Sequence, residues 1–219
     1  MRARRWIAAL LLVVATASTR AGAAPAPTRV GTLLLARPEV DGTMPNEPRV
    51  RLANLAEVKL AMEVATGPGA SARIDIDGGP AIHGAVVMGP KSRVVFVKWV
   101  VDQVTRPEVG LRTQVGDFQI YFKRHPLIAG TVSIETPTAG TIKLAGTAIC
   151  LRVEPDGTTT VTVLEGDVTA GSKVRVLKGS QARVAPAFAS AAAQLVEDPP
   201  RLDLQRLLLL GSLPKARHP

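Results

Sequence analysis
From Val30 onward the apolar residues come in short stretches rich in Val, Ile and Thr, broken by Gly, Pro and Asp. That is the punctuation of strands. Arg73-Ile-Asp-Ile-Asp77 alternates strictly and stops at Gly78-Gly79-Pro80, which predicts a strand with one buried face. Ile82 to Met88 predicts another, closed by Gly89-Pro90. Val94 to Val101 is almost continuously apolar and predicts a strand covered on both faces. Phe118, Ile120 and Phe122 alternate with Gln119, Tyr121 and Lys123, so one face is expected to be dry and the other wetter. Between Val50 and Ala65 the pattern is ambiguous. Leu52, Leu55, Val58 and Met62 sit at helical spacings, but Thr66-Gly67-Pro68-Gly69 fits a strand and turn equally well.

The clearest block runs from Gly130 to Ala185. Thr131 to Glu135, Thr141 to Leu144, Ala148 to Glu154, Thr158 to Leu164 and Lys173 to Leu177 read as successive strands, with a turn at Pro155-Asp156-Gly157. No series of crossover helices separates them, which excludes a parallel βαβ fold. The expectation is all-β: one compact antiparallel β-sandwich or a short β-roll, solenoid-like, over residues 30–187. Residues 188–219 differ. Phe188 to Val196 is Ala-rich and Leu202 to Leu210 Leu-rich, which predicts a short helical tail with a frayed end. Leu202, Leu207 and Leu208 could dock on the body or contact a partner.

The start of the chain adds an address. Arg2, Arg4 and Arg5 precede a mainly apolar run from Trp6 to Ala17, too short to span a ~30 Å hydrocarbon layer. Ala21-Gly22-Ala23 then supplies small residues ahead of a Pro/Ala linker at 24–29. This is the pattern of an export signal at residues 1–23, and it predicts an extracytoplasmic, periplasmic or secreted protein with no transmembrane span after cleavage. Of the 27 basic residues, against 18 acidic ones, four arginines lie in that segment. The net charge of +9 therefore falls to +5 in the processed chain. The remaining charge is scattered: Arg49, Arg51 and Lys59; Lys91, Arg93 and Lys98; Lys123 and Arg124; Lys173, Arg175 and Lys178. Such a surface suits solubility, or contact with anionic envelope polymers. With 3% aromatic residues there is little material for base stacking, so no nucleic-acid partner is expected.

Candidate chemistry is sparse. Cys150 is the only cysteine, which excludes an intramolecular disulfide. In Ala148-Ile-Cys-Leu-Arg152, strand periodicity puts Ile149, Leu151 and Val153 on one face and Ala148, Cys150 and Arg152 on the other. A nucleophilic cysteine needs a base beside it, and the nearest histidine in sequence is His125. A structural cysteine packed between layers fits better. His83 and His125 have no second ligand at metal spacing. Asp75 and Asp77 would share a strand face and hold a cation only loosely. Ser133, Ser172 and Ser180 lack a Gly-x-Ser-x-Gly frame. No catalytic residue, cofactor or metal is assigned.

Four segments in order resemble the FecR-domain family. Glu135-Thr-Pro-Thr-Ala-Gly-Thr-Ile-Lys-Leu-Ala-Gly-Thr147 is similar to its "TPTA…V-R-G-T" segment, and Thr160-Val-Thr-Val-Leu-Glu-Gly-Asp-Val168 to its "V-x-V-L-E-G-x-V" strand and turn. Val174-Arg-Val-Leu-Lys-Gly-Ser-Gln-Ala182 resembles the closing "V-x-L-x-x-G-x-x-A". Upstream, Ala72 to Gly78 and Met88-Gly-Pro-Lys-Ser-Arg93 resemble its "D-G-S…L-G-P-x-S" pair. The likeness covers about residues 50–186 and singles out Thr136, Pro137, Gly146, Thr147, Glu165, Gly166 and Gly179 as structural positions. It implies an extracytoplasmic β domain, in a family whose best-known members relay outer-membrane receptor occupancy to a cytoplasmic sigma factor. Here nothing before residue 24 matches a sigma-binding domain, and the residues after Val184 are few for a receptor-contacting one. The isolated β module is what carries over. The expected function is a non-enzymatic binding module for an envelope protein or glycan. The alternatives are an envelope enzyme using Cys150 or a histidine, and a glycan-binding adaptor.

Overall fold
A computed structural model describes residues 28–78, 82–101, 107–123, 130–144, 146–170, 174–185 and 194–196. These residues are all-β, with no helix among them. In chain order the strands are β1 (Arg29–Ala36), β2 (Val40–Thr43), β3 (Val50–Arg51), β4 (Glu57–Lys59), β5 (Glu63–Thr66) and β6 (Ala72–Gly78). Then come β7 (Ile82–Met88), β8 (Arg93–Val100), β9 (Glu108–Lys123), β10 (Thr131–Thr136), β11 (Gly140–Leu144) and β12 (Ala148–Val153). Last are β13 (Thr159–Glu165), β14 (Asp167–Ala170), β15 (Val174–Leu177), β16 (Gln181–Val184) and β17 (Gln194–Val196).

They pair into two sheets. The first runs β4-β1-β6-β7-β9-β12-β13-β16-β17. The second runs β3-β2-β5-β8-β9-β10-β11-β14-β15. The 16-residue β9 belongs to both. Glu108 to Val115 pairs with β8 in the second sheet, and Gly116 to Lys123 with β12 and β7 in the first. The chain thus alternates between layers, one hairpin or strand at a time. All pairings are antiparallel except β9 with β10. A parallel pair needs a connection of a dozen or more residues, and the one here meets that: the paired segments Glu108–Arg112 and Thr131–Glu135 are joined through residues 113–130, which include the second half of β9. A Cβ on Gly130 would lie near both Pro107, at the start of β9, and Ile82, whose strand runs beside its end.

Alternate residues of each strand fill the space between the sheets. Leu33, Ile74, Met88, Ile120, Ile149, Leu151 and Val161 come from the first; Val40, Val64, Phe96, Leu111, Ile134, Ile142 and Val176 come from the second. Each such side chain contributes roughly 1.5–3 kcal/mol of burial. Three sequence expectations change. Val94 to Val101 is not covered on both faces: Val94 and Phe96 point inward, while Arg93 and Lys98 are exposed. Gln194–Val196, expected in a helix, forms β17, because the open side of β16 supplies the ladder Gln181↔Val196, Ala182↔Leu195 and Arg183↔Gln194. Pairing across the sheet outweighs local helix propensity. Arg29, placed in the linker, opens β1. The ambiguous stretch Val50 to Ala65 resolves into β3, β4 and part of β5. The export segment and the rest of the tail lie outside the described residues.

Candidate functional site
Most motif positions sit where the chain changes sheets; Thr136 and Pro137 sit instead in the β10–β11 hairpin of the second sheet. Between β7 and β8, Ser92 is fully buried and sits against Gly116, the point where β9 passes from one sheet to the other. The Ser92 hydroxyl accepts a hydrogen bond from the Asp117 N–H (3.1 Å) and lies 3.2 Å from the Asp117 carbonyl. The Ser92 N–H donates to Thr66 Oγ1 (2.9 Å), which in turn donates to the Gly89 carbonyl (2.6 Å). Gly116 has φ +118°, and a Cβ there would collide with Ser92 Oγ, Cα and Cβ. Only glycine meets both conditions.

The same device recurs in the second half of the chain. Thr147, on the crossing from β11 to β12, packs against Gly166, on the crossing from β13 to β14; a Cβ on Gly166 would collide with Thr147 Cγ2. Gly166 has φ +78°. The Thr147 carbonyl accepts from the Phe122 N–H (3.1 Å), tying this crossing to β9. The Thr147 hydroxyl, in contrast, is buried without a hydrogen-bond partner. Glu165 pairs with Ala148 beside this contact and is exposed. Gly146 and Gly179 occupy turns with φ of +67° and +78°.

The Thr136-Pro137-Thr138 turn is a third lock. Thr136 Oγ1 donates to the Gly140 carbonyl (3.2 Å). Thr138 Oγ1 lies within hydrogen-bond distance of the Gly157 carbonyl (2.6 Å), Thr159 Oγ1 (2.9 Å) and the Val184 carbonyl (3.2 Å). One hydroxyl so gathers the β10–β11 turn, the β12–β13 turn and the end of β16. Within that second turn the Asp156 carboxylate accepts from the Thr158 N–H and hydroxyl, which holds its pKa below the ordinary carboxylate value.

The chemical candidates are not brought together. Cys150 does not lie between the layers as expected. Ile149, Leu151 and Val153 take the inward face, and Cys150 is half-buried on the outer face of the first sheet, opposite Gln119 and Thr162. Partial burial, and then the negative charge of Asp117, push its thiol pKa up, away from the reactive thiolate. Arg152 binds that same Asp117 (Nε to Oδ1 2.6 Å). His83 is exposed and opposite Lys123 in the ladder. Asp75 pairs with Arg73 at 2.8 Å, and the Asp77 side chain and His125 lie outside what is described. Ser133 Oγ lies 3.4 Å from the Val109 carbonyl, Ser180 sits in the turn before β16, and Ser172 is outside the described residues. Among the described residues no three His, Cys, Asp or Glu side chains are grouped to hold a metal ion.

Two polar features escaped the sequence reading. Asp41, 6% exposed, accepts from Arg49 Nε and Arg51 Nε, both at 2.8 Å, clamping the β2–β3 pair. A shallow groove of about 270 Å³ lies along the parallel β9–β10 pairing, lined by Arg112, Gln114, Glu135 and Pro137; Arg112 and Glu135 neutralise each other at 2.8 Å. Charged residues near Gly42 and along β10 could have suggested both, but only register shows which charges meet. Leu202, Leu207 and Leu208 lie outside the described residues. No helix among the described residues is long and apolar enough to cross a membrane. Set against protein-family models, curated proteins and solved structures, the chain matches none.

Proposed function
We propose that the protein is an exported, non-enzymatic, FecR-like module that acts by binding another component of the cell envelope. The observation that carries this reading is where the shared motif residues sit. Ser92, Thr136, Thr138, Thr147 and Gly166 are used in locking crossings and turns. The motif therefore specifies a scaffold, and the outer faces and strand edges remain to carry contacts. The raised thiol pKa of Cys150 speaks against nucleophilic use.

Affinity capture from native envelopes, with the immobilised chain beside a version ending at Pro199, tests it. Retention of the same envelope protein by both is the expected result. Loss with the shorter chain would move the contact to Leu202, Leu207 and Leu208. Retention of nothing by either would overturn the reading.

A further inference from the structure
The two sheets end in four edge strands, and they are not equivalent. β3 and β4, at one end, have two and three residues, and the segment joining them is bonded across that end: Leu52 N–H to the Val40 carbonyl, Leu55 N–H to the Leu33 carbonyl, and Leu33 N–H to the Ala56 carbonyl. At the other end β17 extends the first sheet past β16. β15, the last strand of the second sheet, pairs only with β14 among the described residues. Antiparallel pairing satisfies alternate residues on one side only, so this four-residue strand turns backbone donors and acceptors outward, except that the Leu177 carbonyl accepts from the Ser180 N–H (3.0 Å). Its side chains alternate cleanly: Val176 is fully buried, while Arg175 and Leu177 are exposed, Leu177 at 54%. Arg175 is held at 2.8 Å by Asp167 yet remains largely exposed. Lys178 follows it, and Lys143 stands in the same cross-strand row, which reads Ser133, Lys143, Thr169, Arg175.

We infer that the edge of β15 left unpaired among the described residues takes an extended acidic peptide segment of a partner protein as a further strand of the second sheet. The ladder supplies backbone pairing. Arg175 and Lys178 select a carboxylate, Leu177 an apolar residue two positions from it, and the inward row continued from Val176 a small apolar one between. The same cations disfavour a second copy of this edge, which would bring like charges together. The inference rests on the binding-module reading and narrows it to one edge.

The test uses the full chain and a labelled probe peptide, Thr-Val-Glu-Val-Leu-Val-Glu-Val-Thr, with two counterparts: one with Lys for each Glu, one with alternate backbone amides N-methylated. The acidic probe is expected to bind about tenfold or more tighter than the Lys version, a preference that Arg175→Glu reverses. It should also protect the amides of residues 174–177 from hydrogen exchange. Equal binding of the N-methylated probe would mean charge attraction without a strand and would overturn the inference. So would protection at β3 or β4 instead, absence of binding, or a dimer that protects 174–177 without peptide. If envelope capture succeeds while the probe fails, only the edge assignment falls.

Discussion

Two stacked pairs of crossings lock this sandwich, and they use their hydroxyl residues differently. At Ser92 and Gly116 the hydroxyl is a working hydrogen-bond partner of the Asp117 backbone. At Thr147 and Gly166 the hydroxyl is buried unpaired, and the methyl group makes the contact. Both pair a small hydroxyl residue on one crossing with a positive-φ glycine on another. The first crossing needs the polarity of its side chain; the second needs only the shape.

Substitutions separate the two. Gly116→Ala combines strained φ with a collision against buried backbone as well as side chain, and should cost about 3–5 kcal/mol, read as a fall in urea midpoint or failure to fold. Gly166→Ala collides with the Thr147 methyl group and comes close to the Gly146 carbonyl oxygen, and should cost about 2–3 kcal/mol, of which roughly half returns when Thr147→Ser removes that methyl. An additive double variant would show that the two residues do not press on each other. Ser92→Ala strands the Asp117 N–H, and a loss of about 1–2 kcal/mol is expected in chemical denaturation. Thr147→Val keeps the shape and removes an unpaired hydroxyl; stability should hold or rise by about 1 kcal/mol, and a loss like that of Ser92→Ala would erase the contrast.

The smallest effect reaches outward from the first crossing through Asp117. Burial and that carboxylate raise the Cys150 pKa above its ordinary 9.0. The folded chain therefore holds the thiol proton more tightly than the unfolded one. The resulting stability is present below the unfolded pKa and is lost as pH rises through the folded value. Wild-type chain should lose slightly more stability than Cys150→Ala between neutral and strongly alkaline pH. Parallel pH curves would remove Asp117 and burial as influences on the thiol.

Much of this was legible in the sequence. Strict alternation marks β6 and the second half of β9, because a half-buried strand writes its burial directly into period two; β7 shows instead as a short apolar run closed by Gly89-Pro90, and its burial does not alternate. The first half of β9 was missed, since Gly110 and Gly116 interrupt the pattern at places where neighbouring strands approach closely. β14 and β16 are four residues each, too short for a period to show. The position of Cys150 was half right: periodicity separated it from Ile149 and Leu151, but which face met the other sheet depended on pairing. The motif segments around Ser92, Thr138 and Thr147 were visible as a pattern. Their tasks of locking crossings and turns to one another were not, because these join residues far apart in the chain.

The double membership of β9 sets how the molecule comes apart. A sandwich of independent sheets could lose one layer and keep the other as a partly folded remnant. Here the central strand of each layer is one half of the same strand, bent at a single glycine. Peeling either layer from its middle pulls on the other, so the two layers share one unfolding event, and cutting the chain after β9 would leave the first part with a central strand whose outer partners β10 and β12 are gone.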